Sequence, residues 1–202
     1  MGKYLEIKWY GRGGQGVMTA ATVLAEVLAM EGKYVQACPD FSNGKSCVSV
    51  QAFNRLADAP LKLHSVVDIP DIVVIMDIVL FIKEHNGIKP NAKENAIYIV
   101  NTSAAPEVVK GKLGILDNTL YTMDADSIGC CETGSRETMP NIALMTVLIY
   151  CLAWISMETF KQRLRQSLSQ WLPPDQVAAN LKSVDSVEQG LKEAEQAAEK
   201  NL

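Results

Sequence analysis

Six consecutive residues near the start of the chain have the types and the spacing of an anion-binding turn. They are Gly11, Arg12, Gly13, Gly14, Gln15 and Gly16. The pattern G-x-G-x-x-G allows a sharp turn, and a helix that begins directly after it points free N–H groups and the positive end of its dipole at one place. Arginine adds a planar, forked donor for phosphate or carboxylate. The sequence therefore predicts a site for a phosphate-bearing ligand or for a partner protein's backbone or acidic groups.

Two other interpretations of this turn are open. A dinucleotide site would require an Asp or Glu at the end of the second strand to bind the ribose, but Cys38 and Pro39 stand there and Asp40 follows. Alternatively, the glycines serve only to pack a helix closely against a strand. That structural interpretation explains the glycines and leaves Arg12 and Gln15 without a role.

The residues on either side predict the elements that would position the turn. Residues 5–10 alternate apolar and polar side chains, which predicts a strand, and 17–30 carry apolar residues at helical spacing. A second strand is predicted over 33–38, after Gly32 ends the helix. Strand, turn, helix and strand together form a βαβ unit of ordinary length.

Two later strands are predicted to end in short polar side chains. Residues 72–76 and 96–100 are apolar and rich in β-branched residues, which is typical of central strands covered on both faces. The polar residues that follow these strands are Asp77, Asn101, Thr102 and Ser103. Because open α/β sheets bind ligands at the carboxyl ends of their strands, these residues are candidates for ligand or partner contacts.

Two loops add further candidates. Residues 41–46 are rich in turn formers, and a strand is predicted to resume over 47–54, so Asn43 and Lys45 lie in a loop between two strands. The polar stretch 129–141 precedes a helix and contains Arg136. Each of these candidates also has an ordinary explanation in helix capping or loop hydrogen bonding.

The pattern as a whole predicts an α/β protein with three layers, α/β/α, and a mostly parallel, possibly mixed, sheet. A short last strand is predicted over 120–125, and helices over 141–155, 157–171 and 186–200, with Pro173 and Pro174 breaking the chain. We interpret 1–202 as one domain with a helical C-terminal tail from about residue 173.

Composition excludes several classes of protein. The 202 residues carry a net charge of −4 without a dense Lys/Arg cluster, which argues against nucleic acid as a partner. The longest apolar stretch, 142–155, is shorter than the ~20 residues of a membrane span, and the N-terminus lacks the apolar run of a secretory signal. The five cysteines form no C-x-x-C pair. A cytoplasmic protein with reduced thiols is expected.

The segment 7–21, with its string G-R-G-G-Q-G, resembles the start of the gamma subunits of pyruvate:ferredoxin oxidoreductase and related 2-oxoacid oxidoreductases. That string is far more specific than a lone G-x-G-x-x-G. The likeness continues in order along nearly the whole chain. It includes 31–37, 70–74, Arg136, 140–145 and 180–182.

The resemblance implies a role in a larger enzyme. Such enzymes oxidatively decarboxylate a 2-oxoacid with thiamine diphosphate and Mg²⁺, usually form an acyl-CoA, and pass electrons through [4Fe-4S] clusters to ferredoxin or another acceptor. The chain is then a gamma subunit without catalytic residues of its own, with those cofactors on partner subunits. It would support assembly and line part of the route for CoA and the 2-oxoacid. The turn 11–16 is the first candidate for these contacts, followed by Asp77, Asn101, Thr102, Ser103 and Arg136. Asn43 and Lys45 are added because their loop follows a βαβ unit at the glycine-rich end of the sheet.

At one point the sequence departs from the family pattern. An acidic-arginine-glycine loop is usual after the second strand, whereas this chain has Phe41-Ser42-Asn43-Gly44-Lys45-Ser46-Cys47. Because the arginine is missing, an atypical 2-oxoacid such as an aryl one is an alternative to pyruvate. A stand-alone dinucleotide-dependent oxidoreductase and a purely structural module remain the alternatives from other classes.

Overall fold

The computed structural model describes residues 4–40, 49–81, 91–128 and 140–199. Six strands are described, and they are β1 (Leu5–Arg12), β2 (Tyr34–Asp40), β3 (Ser49–Ala57), β4 (Ile72–Ile75), β5 (Ile97–Asn101) and β6 (Thr119–Met123). The helices are α1 (Val17–Ala29), α2 (Pro106–Leu113), α3 (Asn141–Leu152), α4 (Met157–Leu168) and α5 (Pro174–Glu199). The predicted strands and the predicted α1 are confirmed to within a few residues at each end.

The strands form one mixed sheet in the order β2-β3-β1-β4-β5-β6. Strands β1, β4, β5 and β6 are parallel to one another, and β3 is antiparallel to both β1 and β2. The first and second strands of the predicted βαβ unit are therefore not adjacent, because β3 lies between them. The prediction of a mostly parallel, possibly mixed, α/β sheet is confirmed.

Helices pack on both faces of this sheet. On one face, α1, α3, α4 and α5 surround a core that includes Ile7 and Trp9 of β1. On the other face, α2 packs on a second core that includes Tyr10 and Tyr98. Residues of β1 contribute to both cores because successive side chains of a strand point to opposite faces of the sheet. We call these the helical face and the α2 face.

The C-terminal third differs from the prediction in one respect. The last helix begins at Pro174, about twelve residues before the predicted start. Proline fits the first turn of a helix because the N–H it lacks would have no partner there. The side chains at helical spacing that it buries are Val177, Leu181, Val184 and Val187. The first half of this helix is thus part of the core rather than an exposed tail.

Two other differences have local causes. Helix α3 ends at Leu152 rather than at Ile155, because Ala153 takes a left-handed conformation with φ 48°. Helix α2 is not predicted from the sequence, and it presents only Val109 and Leu113 to the core.

Candidate functional site

The glycine turn connects the end of β1 to the start of α1. Its backbone closes by a hydrogen bond from the Gln15 N–H to the Arg12 carbonyl oxygen at 3.2 Å. The Gln15 side chain reinforces the turn, because its Oε1 accepts from the Arg12 backbone N–H at 2.7 Å. Gly14, with φ 89°, and Gly16, with φ 76°, adopt the left-handed conformation that favours glycine. The predicted strand, turn and helix are therefore present, and Gln15 contributes to the shape of the turn.

Two of the glycines are also required by close packing. A Cβ on Gly11 would lie 2.6 Å from Val17 Cγ2 and 3.2 Å from Met76 Cβ, so a side chain cannot fit between β1, α1 and the end of β4. A Cβ on Gly16 would lie 2.4 Å from Asn141 Nδ2. The starts of α1 and α3 consequently meet at Gly16, and the positive ends of two helix dipoles lie close together.

The other two glycines leave open space. A Cβ added to Gly13 or Gly14 would meet no heavy atom within 4 Å. Gly13 and Gly14 are exposed, so this part of the turn is open to a ligand or a partner chain. The structural interpretation explains Gly11 and Gly16, but packing gives no reason for Gly13.

Arg12 lies at the carboxyl end of β1 and pairs with Asp77. Its Nε donates to Asp77 Oδ2, and the two side chains are 37% and 17% exposed. Asp77 is held in turn, because its Oδ1 accepts from the Val79 backbone N–H at 2.8 Å. A guanidinium has four further N–H donors, so the ion pair orients Arg12 without exhausting its capacity to bind an anion. The two predicted residues thus come together at one edge of the sheet.

Asn101 and Thr102 lie at the same edge, two strands away. Asn101 is buried, and its Nδ2 donates to the Met76 carbonyl oxygen at 3.0 Å and to Asp126 Oδ2 at 2.9 Å. Its Oδ1 accepts from the Ala125 backbone N–H at 2.9 Å. Both polar atoms of Asn101 are engaged in joining β4, β5 and the segment after β6. Thr102 Oγ1 accepts from the Ala104 backbone N–H at 3.1 Å, which is a local loop bond.

Three predicted site residues, Asn43, Lys45 and Arg136, lie outside the described residues. The described ends that flank the first of these loops, Asp40 and Ser49, lie at the edge that carries the glycine turn, because Ser49 is the register partner of Arg12. The role of these three residues stays a prediction.

The strand order argues against a dinucleotide site. In that fold the second strand lies beside the first, and its end positions an acidic residue for the ribose. Here the antiparallel β3 separates β1 from β2. The turn therefore has the local shape of a nucleotide-binding turn, but the strand order of the sheet around it differs from that of a dinucleotide-binding fold.

Comparison with known proteins identifies the family of the chain. The chain matches the model of the family described as pyruvate ferredoxin/flavodoxin oxidoreductase over residues 6–190. The chain belongs to this family. The family membership expected from the G-R-G-G-Q-G string is confirmed.

Relatives within the pyruvate ferredoxin/flavodoxin oxidoreductase family match almost end to end. Pyruvate synthase subunit PorC of Thermotoga maritima is 31% identical over 182 residues, which cover 90% of this chain and 92% of that protein. The protein of Pyrococcus abyssi named pyruvate/ketoisovalerate oxidoreductases common subunit gamma is 34% identical over 165 residues, covering 82% of this chain and 87% of its own. The chain is therefore similar to gamma-type subunits over their length.

Solved structures agree with the fold. The crystal structure of the Thermotoga maritima PORC subunit has a TM-score of 0.75 at 28% identity and covers 93% of this chain and 97% of its own. A 2-oxoglutarate:ferredoxin oxidoreductase from Magnetococcus marinus has a TM-score of 0.67 at 18% identity. It covers 94% of this chain, whereas this chain covers 31% of that one, and at this identity the likeness concerns the fold alone.

Sequence reasoning missed two features near the turn. Asn141 is buried against Gly16, and it was noted only within the family-like stretch 140–145. Ser49 and Gln51 of β3 lie opposite Arg12 and Tyr10 in the register. Their position depends on which strand pairs with β1, and the sequence carries no local signal for that pairing.

Two further observations complete the description. Among the described helices, none has the length and apolar character needed to span a membrane. Within residues 4–40, 49–81, 91–128 and 140–199, no group of three or more His, Cys, Asp or Glu side chains is arranged to hold a metal ion.

Proposed function

We propose that this chain is the gamma subunit of a thiamine diphosphate-dependent, CoA-acylating 2-oxoacid oxidoreductase that passes electrons to ferredoxin or another acceptor. Its partners are the thiamine-binding and ferredoxin-like subunits, which hold thiamine diphosphate, Mg²⁺ and the [4Fe-4S] clusters. Support comes from family membership and from near-complete coverage of relatives named as gamma or PorC subunits. The residues 1–202 then act as one gamma-type domain.

Within that assembly, the glycine turn binds an anionic group, and a phosphate of CoA is the ligand that we propose. The observation that carries this assignment is the combination of open space at Gly13 and Gly14 with the oriented guanidinium of Arg12. Backbone N–H groups at a helix start favour a phosphate, and a charge-assisted hydrogen bond from arginine adds to its binding. A carboxylate of a partner subunit has similar chemistry and is the second candidate.

Arg12→Ala in the assembled enzyme tests the proposal. Loss of one charge-assisted contact should weaken binding by ~1.5 to 3 kcal/mol, which raises the KM for CoA roughly ten- to hundredfold. The KM for the 2-oxoacid should change little. Arg12 is partly exposed, so the stability of the chain should fall by no more than ~1 kcal/mol.

A matched control is available at the far end of α1. Arg163 Nε donates to Glu31 Oε1 at 2.6 Å, with side chains 31% and 26% exposed, so this ion pair resembles Arg12 and Asp77 in exposure. Arg163→Ala should leave the KM for CoA unchanged. An Arg12→Ala enzyme with normal assembly and normal CoA dependence would exclude the phosphate contact. Folded protein that no longer assembles would instead favour the partner carboxylate.

A further inference from the structure

Two polar side-chain atoms beside the proposed phosphate site, Ser49 Oγ and Gln51 Oε1, are buried without a hydrogen-bond partner. Gln51 is 4% exposed, and no protein group hydrogen-bonds to its Oε1 in the part of the chain that the structure describes. The same holds for the buried Oγ of Ser49. An unsatisfied buried polar atom costs about 1–3 kcal/mol, so two of them at alternate positions of one strand require an explanation.

The register places both residues next to Arg12. Ser49 is opposite Arg12, and Gln51 is opposite Tyr10, on the antiparallel pair β1 and β3. Residues opposite each other across a sheet share a face, with Cβ atoms about 4.5–5.5 Å apart. Ser49 and Gln51 are two positions apart along β3, so they are separated by about 7 Å on that same face. Arg12, Ser49 and Gln51 thus form a row, which we call the polar row.

The polar row differs from the other buried polar groups of β3. Asn54 is fully buried, yet its amide bonds to Trp9 Nε1 at 2.8 Å and to the Ala21 carbonyl oxygen at 2.8 Å. Arg55 is also buried, and its guanidinium bonds to Glu6 Oε1 at 2.8 Å and to the Ser65 carbonyl oxygen at 3.0 Å. Strand β3 therefore satisfies its buried polar groups away from the turn and leaves them unpartnered beside it.

We propose that the polar row binds a hydrogen-bond donor of the same phosphate-bearing ligand whose phosphate lies at Arg12. The inference rests on the proposed function, and it adds a second contact to that site. Oε1 of Gln51 accepts an N–H or O–H group, and Ser49 Oγ lies between that contact and the phosphate. The ligand must then carry an amide or hydroxyl donor as well as a phosphate. CoA has such donors on both sides of its phosphates, in the pantetheine arm and in the ribose.

Gln51→Met in the assembled enzyme tests the inference. Methionine fills a similar volume but cannot accept a comparable hydrogen bond. The KM for CoA should rise roughly two- to tenfold, as expected for one net hydrogen bond. The thermal midpoint of the CoA-free enzyme should not fall, because the substitution removes a buried amide oxygen without a partner. Ser49→Ala should shift the KM in the same direction by a smaller factor.

Gln36→Met is the matched control. Gln36 lies on the same face of the sheet at the opposite end of the strands, and its Oε1 accepts from Arg55 Nη1 at 3.3 Å. This variant should lower the thermal midpoint and leave the KM for CoA unchanged, which is the reverse of the pattern expected for Gln51→Met. Inhibition by adenosine 3′,5′-bisphosphate identifies the donor. If Gln51→Met raises the KM for CoA and leaves the inhibition constant of the bisphosphate unchanged, the donor lies in the pantetheine arm. If the variant raises both constants, the donor lies in the nucleoside.

The outcomes separate this inference from the proposed function. If Arg12→Ala raises the KM for CoA and Gln51→Met does not, the phosphate contact stands and the polar row is not part of the site. If Gln51→Met raises the thermal midpoint with an unchanged KM, the row is only a local packing defect and the inference is wrong. If Gln51→Met alone raises the KM, the row binds CoA and the assignment of Arg12 fails.

Discussion

The two faces of the sheet are covered by different means. On the helical face, four helices bury side chains such as Phe160 and Leu164 in the same apolar core as Trp9. On the α2 face, residues 58–70 cross the end of the sheet formed by β2, β3 and β1 without forming a helix or strand. Burial of apolar surface stabilises the packing on the first face. On part of the second face, hydrogen bonds from the sheet to an irregular segment do so.

Buried cations make those contacts. Arg55, 1% exposed, donates to the carbonyl oxygens of Leu63 at 3.3 Å and of Ser65 at 3.0 Å. Lys8, also buried, donates to the carbonyl oxygen of Val67 at 3.1 Å. A segment with no regular structure must satisfy its backbone polar groups individually. The α2 face achieves this with two charged side chains whose donors are fixed in the sheet.

This difference shows that equal burial can have different consequences. Apolar packing is non-directional and tolerates rearrangement, whereas a buried charge depends on each of its partners. Damage to the helical face should therefore destabilise the whole domain, and damage to the α2 face should release one segment first.

Phe160→Ala should have the largest effect and tests the helical face. Truncation of a fully buried phenylalanine removes apolar contact and leaves a cavity, so the free energy of unfolding should fall by about 3–5 kcal/mol. The loss should be global, with amide exchange accelerated in α1, α3 and α5 together. Chemical denaturation with hydrogen exchange measures both. Exchange that accelerates in α4 alone would contradict a single cooperative core on this face.

Arg55→Lys should have a smaller effect and tests the α2 face. Lysine keeps the charge but cannot reproduce the forked contacts to Glu6, Gln36 and the carbonyl oxygens. We expect a loss of roughly 2–3 kcal/mol, with amide exchange accelerated first in residues 58–70. Lys192→Arg, at an exposed position of α5, is the control and should change stability by less than ~0.5 kcal/mol. Uniform acceleration across the domain would remove the distinction between the faces.

The sequence predicts the helical face better than the α2 face, for a physical reason. Apolar periodicity identifies α1 and the helices over 141–152 and 157–168, because each buries one continuous stripe or its whole surface. The first half of α5 was missed because Pro173 and Pro174 resemble a break, although proline at the first helical position is compatible with a helix. The helical spacing of its buried valines is the sequence pattern that indicates where α5 begins.

The candidate site was predicted in its parts but not in its contacts. Arg12 is predicted from the glycine turn and Asp77 from a strand end, yet their ion pair depends on the parallel pairing of β1 with β4. Ser49 and Gln51 join Arg12 only because β3 inserts between β1 and β2. Strand pairing is a long-range property that local patterns do not encode, so both contacts required the structure.

The last expected effect appears only at high pH and sharpens the same comparison. Cys151 lies on α3 at the helical face, and burial raises the pKa of its thiol from 9.0 to about 11. The thiol is neutral in the folded chain between these values and ionised in the unfolded chain, so the unfolded state binds fewer protons there. The contribution of the thiol to the free energy of unfolding is fully present below pH 9. The free energy of unfolding should fall by up to roughly 2–3 kcal/mol as the pH rises to 11.

Cys151→Ala isolates this contribution from the other groups that titrate at high pH. Burial also raises the pKa of Tyr98, on the α2 face, to about 12, so stability should continue to decline above pH 10 in both proteins. The unfolding free energy of wild type minus that of the variant should fall from pH 8.5 to pH 11 and change sign within that range, as measured by denaturation in buffers of matched ionic strength. The variant removes a small side chain and lowers stability at pH 8.5 by about 1 kcal/mol through lost packing. A difference that stays constant over this range would show that the thiol is ionised as easily in the folded chain as in the unfolded one, and that the helical face is open to water at Cys151.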